Sequence, residues 1–144
     1  MELAIDAASR EPIYRQLAIQ IREGVARGRL APGDKLPSVR ELSQQLVVNP
    51  NTIARAYTEL EREGVLHTRQ GMGVFVARPS TDLTKTARRK RLIEPLDALL
   101  TEAIYLGFSR DETRQLFDER ADAYQWEQPS EQEGRRTRTP RTDS

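Results

Sequence analysis

Residues 36–64 read LPSVRELSQQLVVNPNTIARAYTELEREG, a pattern that predicts two short helices in succession. Ser38 and Glu41 have the S-x-x-E spacing of a capping box, in which each side chain accepts a hydrogen bond from a free backbone amide of the other residue. The first helix is therefore expected to run from about Val39 to Leu46.

The second helix follows a short break and carries several signals for its start. Asn49 or Asn51 can cap it, and Pro50 suits a first helical position, where its missing amide would be unpaired in any case. The helix is expected to extend to about Glu63. Its apolar side chains share one face and are Ile53, Ala56, Tyr57 and Leu60. About four residues separate the two helices, a spacing that is typical of a helix-turn-helix motif.

The segments on either side complete a winged helix. Apolar side chains recur every fourth residue at Ile13, Leu17, Ile21 and Val25. This spacing predicts an amphipathic helix over residues 12–27. Residues 31–34 predict a turn, and residues 65–69 and 74–77 predict two strands joined by a glycine-rich hairpin turn. The fold expected for residues 9–78 is therefore a mostly helical winged helix-turn-helix domain with a small β wing.

Residues 79–126 are expected to form a helical dimerisation segment. Its apolar residues have helical spacing and are Leu92, Leu96, Leu99, Leu100, Ala103, Ile104, Leu116 and Phe117. Pro95 predicts a kink or the true start of the first helix, because proline removes a backbone hydrogen bond. Ser109 and Glu112 form a second S-x-x-E box at the start of the last helix. The apolar stripe fits an intramolecular core or a homodimer interface, and the short surrounding chain favours the interface.

Composition excludes several classes of function. The chain has no cysteine and one histidine, His67, which excludes thiol catalysis and a metal site built from several histidines. We therefore expect no catalytic residue, no metal, no cofactor and no enzyme activity. The N-terminus does not resemble a signal peptide, and no stretch approaches the ~20 apolar residues that span a bilayer, so a cytoplasmic protein is expected. Residues 127–144 contain no apolar side chain and are expected to be a disordered tail.

The placement of charge is more informative than its total. The net charge is only +1, from 23 basic and 22 acidic residues, so nucleic-acid binding would depend on local charge. No acidic residue lies between Val47 and Thr58, at the start of the second helix of the motif. In such motifs this end meets base edges in the major groove, and its free amides and positive dipole suit phosphate. The polar residues placed there are Asn49, Asn51, Thr52 and Arg55.

Three blocks of this sequence resemble the winged-helix domain of the GntR family of bacterial transcription regulators. They are LPSVREL at residues 36–42, NPNTIARAYTELEREG at 49–64 and GMGVFV at 71–76, in order and at fitting distances. The pattern resembles two subfamilies: the YtrA type, in which a short helical segment only dimerises, and the MocR type, with an aminotransferase-like pyridoxal-phosphate domain. Residues 79–144 are too few for that domain or for the usual GntR effector domains, so the YtrA type is favoured.

The resemblance implies a homodimer that binds an inverted-repeat DNA operator and acts more often as a repressor than as an activator. In the YtrA type the regulated genes often include a membrane-transporter operon and the regulator's own gene. No polar cluster indicates an effector ligand. The alternative is a winged-helix protein-interaction module without specific DNA readout, which the absence of acidic residues at the start of the second helix argues against.

The resemblance also implies that individual residues of this chain contact DNA. The predicted contact residues are Ser38, Arg40, Asn49, Asn51, Thr52, Arg55, Tyr57, Gln70 and Gly71. Arg40 matches an arginine that contacts bases or phosphate, and Gln70 and Gly71 match the wing tip, which meets the minor groove. For Tyr57 a place in the core is the alternative to a contact with phosphate.

The chain departs from the family pattern within the second helix of the motif. Some relatives have an arginine where this chain has Pro50, and another where it has Ala54, so their operator sequences do not transfer. Arg55 is the candidate that compensates. Five cations follow the wing at Lys85, Arg88, Arg89, Lys90 and Arg91. They fit either a solvated helix start or an added contact with phosphates.

Overall fold

The computed structural model describes residues 2–79 and 83–126. It contains five helices and a two-stranded antiparallel sheet within those residues. In chain order they are α1 (Ile13–Ala26), α2 (Val39–Leu46), α3 (Pro50–Arg62), β1 (Leu66–Arg69), β2 (Gly73–Val76), α4 (Lys85–Tyr105) and α5 (Arg110–Ala121). The predicted mostly helical winged helix with a small wing is confirmed. The predicted tail, residues 127–144, lies outside the described residues.

Local features of the sequence mark where the first three helices begin. Ser38 caps α2, since its Oγ accepts a hydrogen bond from the Glu41 N–H at 3.0 Å. Asn49 caps α3, since its Oδ1 accepts from the Asn51 N–H at 2.9 Å, which resolves the choice between the two asparagines. Pro12 is the N-cap residue of α1, whereas its sequence position suggested the first helical turn.

Val47 forms the turn between α2 and α3 in an unusual backbone conformation. It has a left-handed φ of 54° and ψ of 52°, and its side chain is 90% exposed. A β-branched residue rarely adopts this conformation, because its Cβ approaches the following carbonyl oxygen. The turn is held by the Val48 N–H, which donates to the Ser43 carbonyl at 3.1 Å.

The core of the winged domain lies between α1 and α3 and is closed by α2 and the wing. Its buried apolar residues are Leu17, Ala18, Ile21, Leu36, Leu42, Ile53, Ala56, Tyr57, Leu60, Leu66 and Val76. All of the predicted apolar face of α3 is among them. The opposite face of α3 is therefore turned outward, which positions it for contact with another molecule.

The chain before α2 joins the wing. The Gly33 N–H donates to the Val76 carbonyl at 2.8 Å, and the Leu36 N–H donates to the Val74 carbonyl at 2.9 Å. Lys35 pairs antiparallel with Phe75. The sequence predicted only a turn at residues 31–34, whereas the structure shows that the following residues also line β2 and tie the wing to the start of α2.

The helical segment has no buried residue in either α4 or α5. α4 begins at Lys85, where the Thr84 hydroxyl accepts from the Ala87 N–H at 3.2 Å, and continues through Pro95. Pro95 is therefore not the start of this helix. At α5 both bonds of the predicted capping box form between Ser109 and Glu112. None of the helices in the described residues has the length and apolar character needed to cross a membrane.

Candidate nucleic-acid interface

The outward face of α3 is polar along its whole length. Residues 51, 55, 58 and 62 are spaced so that they share one side of a helix. In this chain they are Asn51, Arg55, Thr58 and Arg62, and all four are exposed. Thr58 and Arg62 were absent from the predicted contact set, although the same spacing counted from Asn51 would have found them. The acidic residues Glu61 and Glu63 lie at the far end of the helix.

Arg55 is held against α1 by an aromatic ring. Its guanidinium carbon lies 3.8 Å from the centre of the Tyr14 ring, which is a close cation–π contact. The Arg55 side chain remains exposed. The ring therefore restricts the guanidinium while leaving it open to a ligand. No local pattern in the sequence indicates this contact, because Tyr14 and Arg55 are far apart in the chain.

The backbone amides at the start of α3 are already bonded within the protein. The Asn51 N–H donates to the Asn49 side chain, and the Thr52 N–H donates to the Asn49 carbonyl at 3.0 Å. Pro50 has no amide hydrogen. The expectation that free amides of this turn would bind phosphate is therefore wrong for these residues. Contacts at this end would come from the exposed Asn51 side chain and the half-buried Thr52.

Ser38 and Arg40 lie at the start of α2 and are both exposed. The Ser38 oxygen accepts the capping bond, so its hydroxyl hydrogen can still be donated to a phosphate oxygen. Arg40 belongs to the first turn of the same helix. The two predicted contact residues are thus exposed at the start of α2, the helix that precedes α3.

Tyr57 belongs to the core, which corrects its inclusion in the predicted contact set. It is 5% exposed, and its hydroxyl donates to the Pro37 carbonyl at 2.7 Å. Burial raises the pKa of Tyr57 to about 12, with a smaller contribution from the negative charge of Glu41. Because the hydroxyl is neutral and already bonded, Tyr57 joins α3 to the approach of α2 rather than offering a group to DNA.

The wing tip is exposed and its base carries an arginine. Gln70, Gly71 and Met72 form the turn between the strands, and all three are exposed. Arg69 lies over Phe75 with its guanidinium carbon 5.0 Å from the ring centre. Arg69 was not among the predicted contact residues, since the cross-strand contact that orients it appears only in the folded wing.

The comparisons with known proteins agree with this geometry. The model of the gntR family of bacterial regulatory proteins matches residues 13–76. The HTH-type transcriptional repressor YtrA of Bacillus subtilis (strain 168) is 37% identical over 117 residues, which are 81% of this chain and 90% of that protein. The chain belongs to the GntR family. The predicted resemblance to its YtrA type is confirmed by the same relative.

Solved structures extend the similarity beyond the winged domain. A transcriptional antiterminator from Listeria monocytogenes EGD-e has a TM-score of 0.73 and 33% identity, with 89% of this chain and 96% of that chain covered. YtrA from Sulfolobus acidocaldarius, a GntR-family transcription factor, has a TM-score of 0.53 and 38% identity, with 66% and 97% covered. This GntR chain is therefore a DNA-binding transcriptional regulator, and its relatives are regulators rather than enzymes.

The helical segment of this GntR regulator presents an apolar surface. The predicted dimerisation residues Leu92, Leu96, Leu99, Leu100, Ile104, Leu116 and Phe117 are 43–75% exposed in the single chain. Ala103 is half-buried. Leu106 and Phe108 line the groove between α4 and α5 together with Leu99 and Phe117. The five cations at the start of α4 are exposed and form no ion pair within the described residues.

Proposed function

We propose that this GntR regulator is a homodimeric repressor that binds an inverted-repeat operator through two winged helices. In this proposal residues 9–78 bind DNA and residues 79–126 join two copies. The regulated genes would include a membrane-transporter operon and the regulator's own gene, as the resemblance to the YtrA type implies. The cytoplasm is the compartment in which such a regulator acts.

The observation that carries DNA binding is the outward face of α3. Asn51, Arg55 and Thr58 offer amide, guanidinium and hydroxyl groups to base edges, with no acidic residue among them. Arginine pairs with guanine and asparagine with adenine in the major groove, so the chemistry suits sequence readout. Exposed Arg40 and the wing arginine Arg69 lie on neighbouring elements and can contact phosphates, which position the protein without selecting a sequence.

The exposed surface of α4 and α5 supports the homodimer. Exposure of apolar side chains such as Leu96 and Leu99 to water is unfavourable in free energy. A two-fold interface would bury the same surface on both copies. Two recognition helices related by that axis would meet successive turns of the major groove, about 34 Å apart. An operator of inverted-repeat form follows from this symmetry.

The test is selection of DNA by the full chain from a random-sequence duplex pool, followed by affinity measurements on the selected duplex. An inverted repeat is expected. Arg55→Ala and Arg40→Ala should each weaken binding by ~1–3 kcal/mol. Arg15→Ala removes an exposed α1 arginine paired with Glu11 and is the matched control, with affinity expected to be unchanged.

Further variants separate base readout from attraction by charge. Arg55→Lys keeps the charge but loses the planar stacked guanidinium, so it should not restore affinity if Arg55 binds a base through two hydrogen bonds. Wild-type affinity in both Arg55→Ala and Arg40→Ala would contradict the assigned contacts. Failure to select any sequence would favour the protein-interaction alternative, and a monomer in sedimentation at micromolar concentration would contradict the dimer.

A further inference from the structure

The end of the helical segment returns to the winged domain and contacts the end of α1. The Gln125 N–H donates to the Ala26 carbonyl at 2.7 Å. The Arg27 Nη2 donates to the Tyr124 hydroxyl at 3.4 Å, and the Arg27 guanidinium carbon lies 5.0 Å from the centre of the Tyr124 ring. We call this contact of residues 26–28 with residues 124–125 the α1–α5 junction.

The chemistry of the α1–α5 junction suits the end of a helix. The last carbonyls of α1 have no donor within the helix, and the Gln125 amide supplies one of them with a partner. Gly28 has no side chain and a positive φ of 78°, and a Cβ at this position would collide with the side chain of Gln125. The positive φ therefore favours a glycine at this point, and the absence of a side chain leaves room for Gln125.

Arg27 is enclosed at the junction from two sides. Glu23, one turn earlier on α1, places its carboxylate 4.0 Å from the guanidinium, and Tyr124 covers it from the other part of the molecule. Only 19% of the Arg27 side chain is exposed, and its Nε is buried. A cation at the C-terminal end of α1 is also favoured by the helix dipole.

The junction gives the helical segment a second attachment to the winged domain. The first is the chain itself, which leaves β2 and enters α4 at Lys85. A single linker permits rotation of one part against the other, whereas two separated attachments restrict it. In a dimer formed through the helical segments, this orientation determines where the two α3 helices fall along DNA.

We propose that Tyr124 and Gln125 are positioning residues that set the distance and orientation of the two recognition helices, and hence the half-site spacing that the regulator accepts. This inference rests on the proposed homodimer and its operator. Neither residue touches DNA in the proposal, and both act through α1, which packs against α3.

The distance between the two α3 helices can be measured directly. The chain has no cysteine, so Glu61→Cys places one nitroxide label at the exposed end of α3 in each protomer. Pulsed electron paramagnetic resonance of the dimer should give a narrow distance distribution, which Tyr124→Ala should broaden about twofold as the restraint is lost. Tyr124→Phe keeps the ring under Arg27 and should stay close to wild type, and Asp122→Ala, an exposed neighbour, should not differ from it.

The DNA readout is a series of duplexes with base pairs added or removed between the half-sites of the selected operator. Each added base pair moves a half-site by ~3.4 Å and rotates it, so wild-type affinity should fall roughly tenfold per step. Tyr124→Ala should lose less than about threefold per step, because its winged domains can adjust, and should bind the best spacing more weakly.

Equal distance widths and equal spacing dependence in wild type and Tyr124→Ala would overturn the inference. If Tyr124→Ala does not fold, Gln125→Pro serves instead, since it removes the amide that binds Ala26. The absence of a dipolar signal in the labelled wild type would overturn the dimer and this inference together. A wild-type dimer that binds equally well at all spacings would overturn the positioning role alone.

Discussion

The winged domain and the helical segment are both rich in leucine and isoleucine, yet they differ in how far these side chains are buried. In the winged domain eleven apolar side chains are buried, whereas α4 and α5 bury none. Three helices and a sheet can enclose a core, but two helices alone leave one side of each open. The first region is therefore closed within one chain, whereas the second leaves an apolar surface for which we propose a second copy as the partner.

The largest effect, a loss of stability, is expected in the buried core of the winged domain. Leu60→Ala removes a side chain with no exposed surface from α3 and should lower the free energy of unfolding by about 2–5 kcal/mol, from lost burial and the cavity left behind. Urea denaturation followed by circular dichroism measures it. The loss should not depend on protein concentration, and a strong dependence would show that this core is not closed within one chain.

The second effect concerns the open surface of α4. Leu99→Asp should weaken dimerisation by about a hundredfold or more, equivalent to ~2.7 kcal/mol, because a carboxylate would be buried in an apolar interface. Analytical ultracentrifugation over a range of concentrations measures the dissociation constant. Ala98→Asp introduces the same charge on the opposite side of α4 and is the control. Equal effects of the two variants would argue that this stripe is not the interface.

A smaller effect of opposite sign is expected at the turn between α2 and α3. Val47→Gly should stabilise the winged domain by about 0.5–1 kcal/mol, because relief of the left-handed strain exceeds the added entropy of the unfolded chain. Val48→Gly is the control and should destabilise, since Val48 packs against the core without a positive φ. The urea midpoints of the two variants, compared with that of the wild type, measure both changes in stability. A Val47→Gly variant that is less stable than the wild type would contradict the proposed backbone strain at Val47.

The smallest effect is expected from removal of residues 129–144. Their composition offers no apolar surface to bury, so both regions should keep their stability and the dimer its dissociation constant. Thermal unfolding and sedimentation of the shortened chain provide the measurement. A lower melting temperature would show that the tail contributes to one of the two regions.

Much of the winged domain could be predicted because its signals are local. Helix caps such as Ser38 and Asn49, and the four-residue spacing of apolar side chains, act within one turn of a helix. Contacts between distant parts of the chain could not be predicted in this way. The pairing of Lys35 with Phe75 and the stacking of Arg55 on Tyr14 depend on how the elements pack, which no short window of sequence contains.

The same distinction between local and long-range contacts applies to the candidate site. The residue types at the start of α3, the absence of acids there and the family resemblance were available from the sequence. The structure decided that Asn49 caps while Asn51 stays exposed, and that the Tyr57 hydroxyl is used at Pro37. Thr58 shares the outward face of α3 with Asn51, and helical spacing counted along the sequence would have found it.

By itself the sequence determined the order of the elements and the family, since capping, periodicity and short motifs act over a few residues. Only the tertiary structure decided which polar groups remain exposed for binding and which are already hydrogen-bonded inside the protein. It alone placed Tyr124 against Arg27, nearly a hundred residues away in the chain. Such contacts depend on the packing of whole elements, because their free energy comes from surfaces that exist only after the chain has folded.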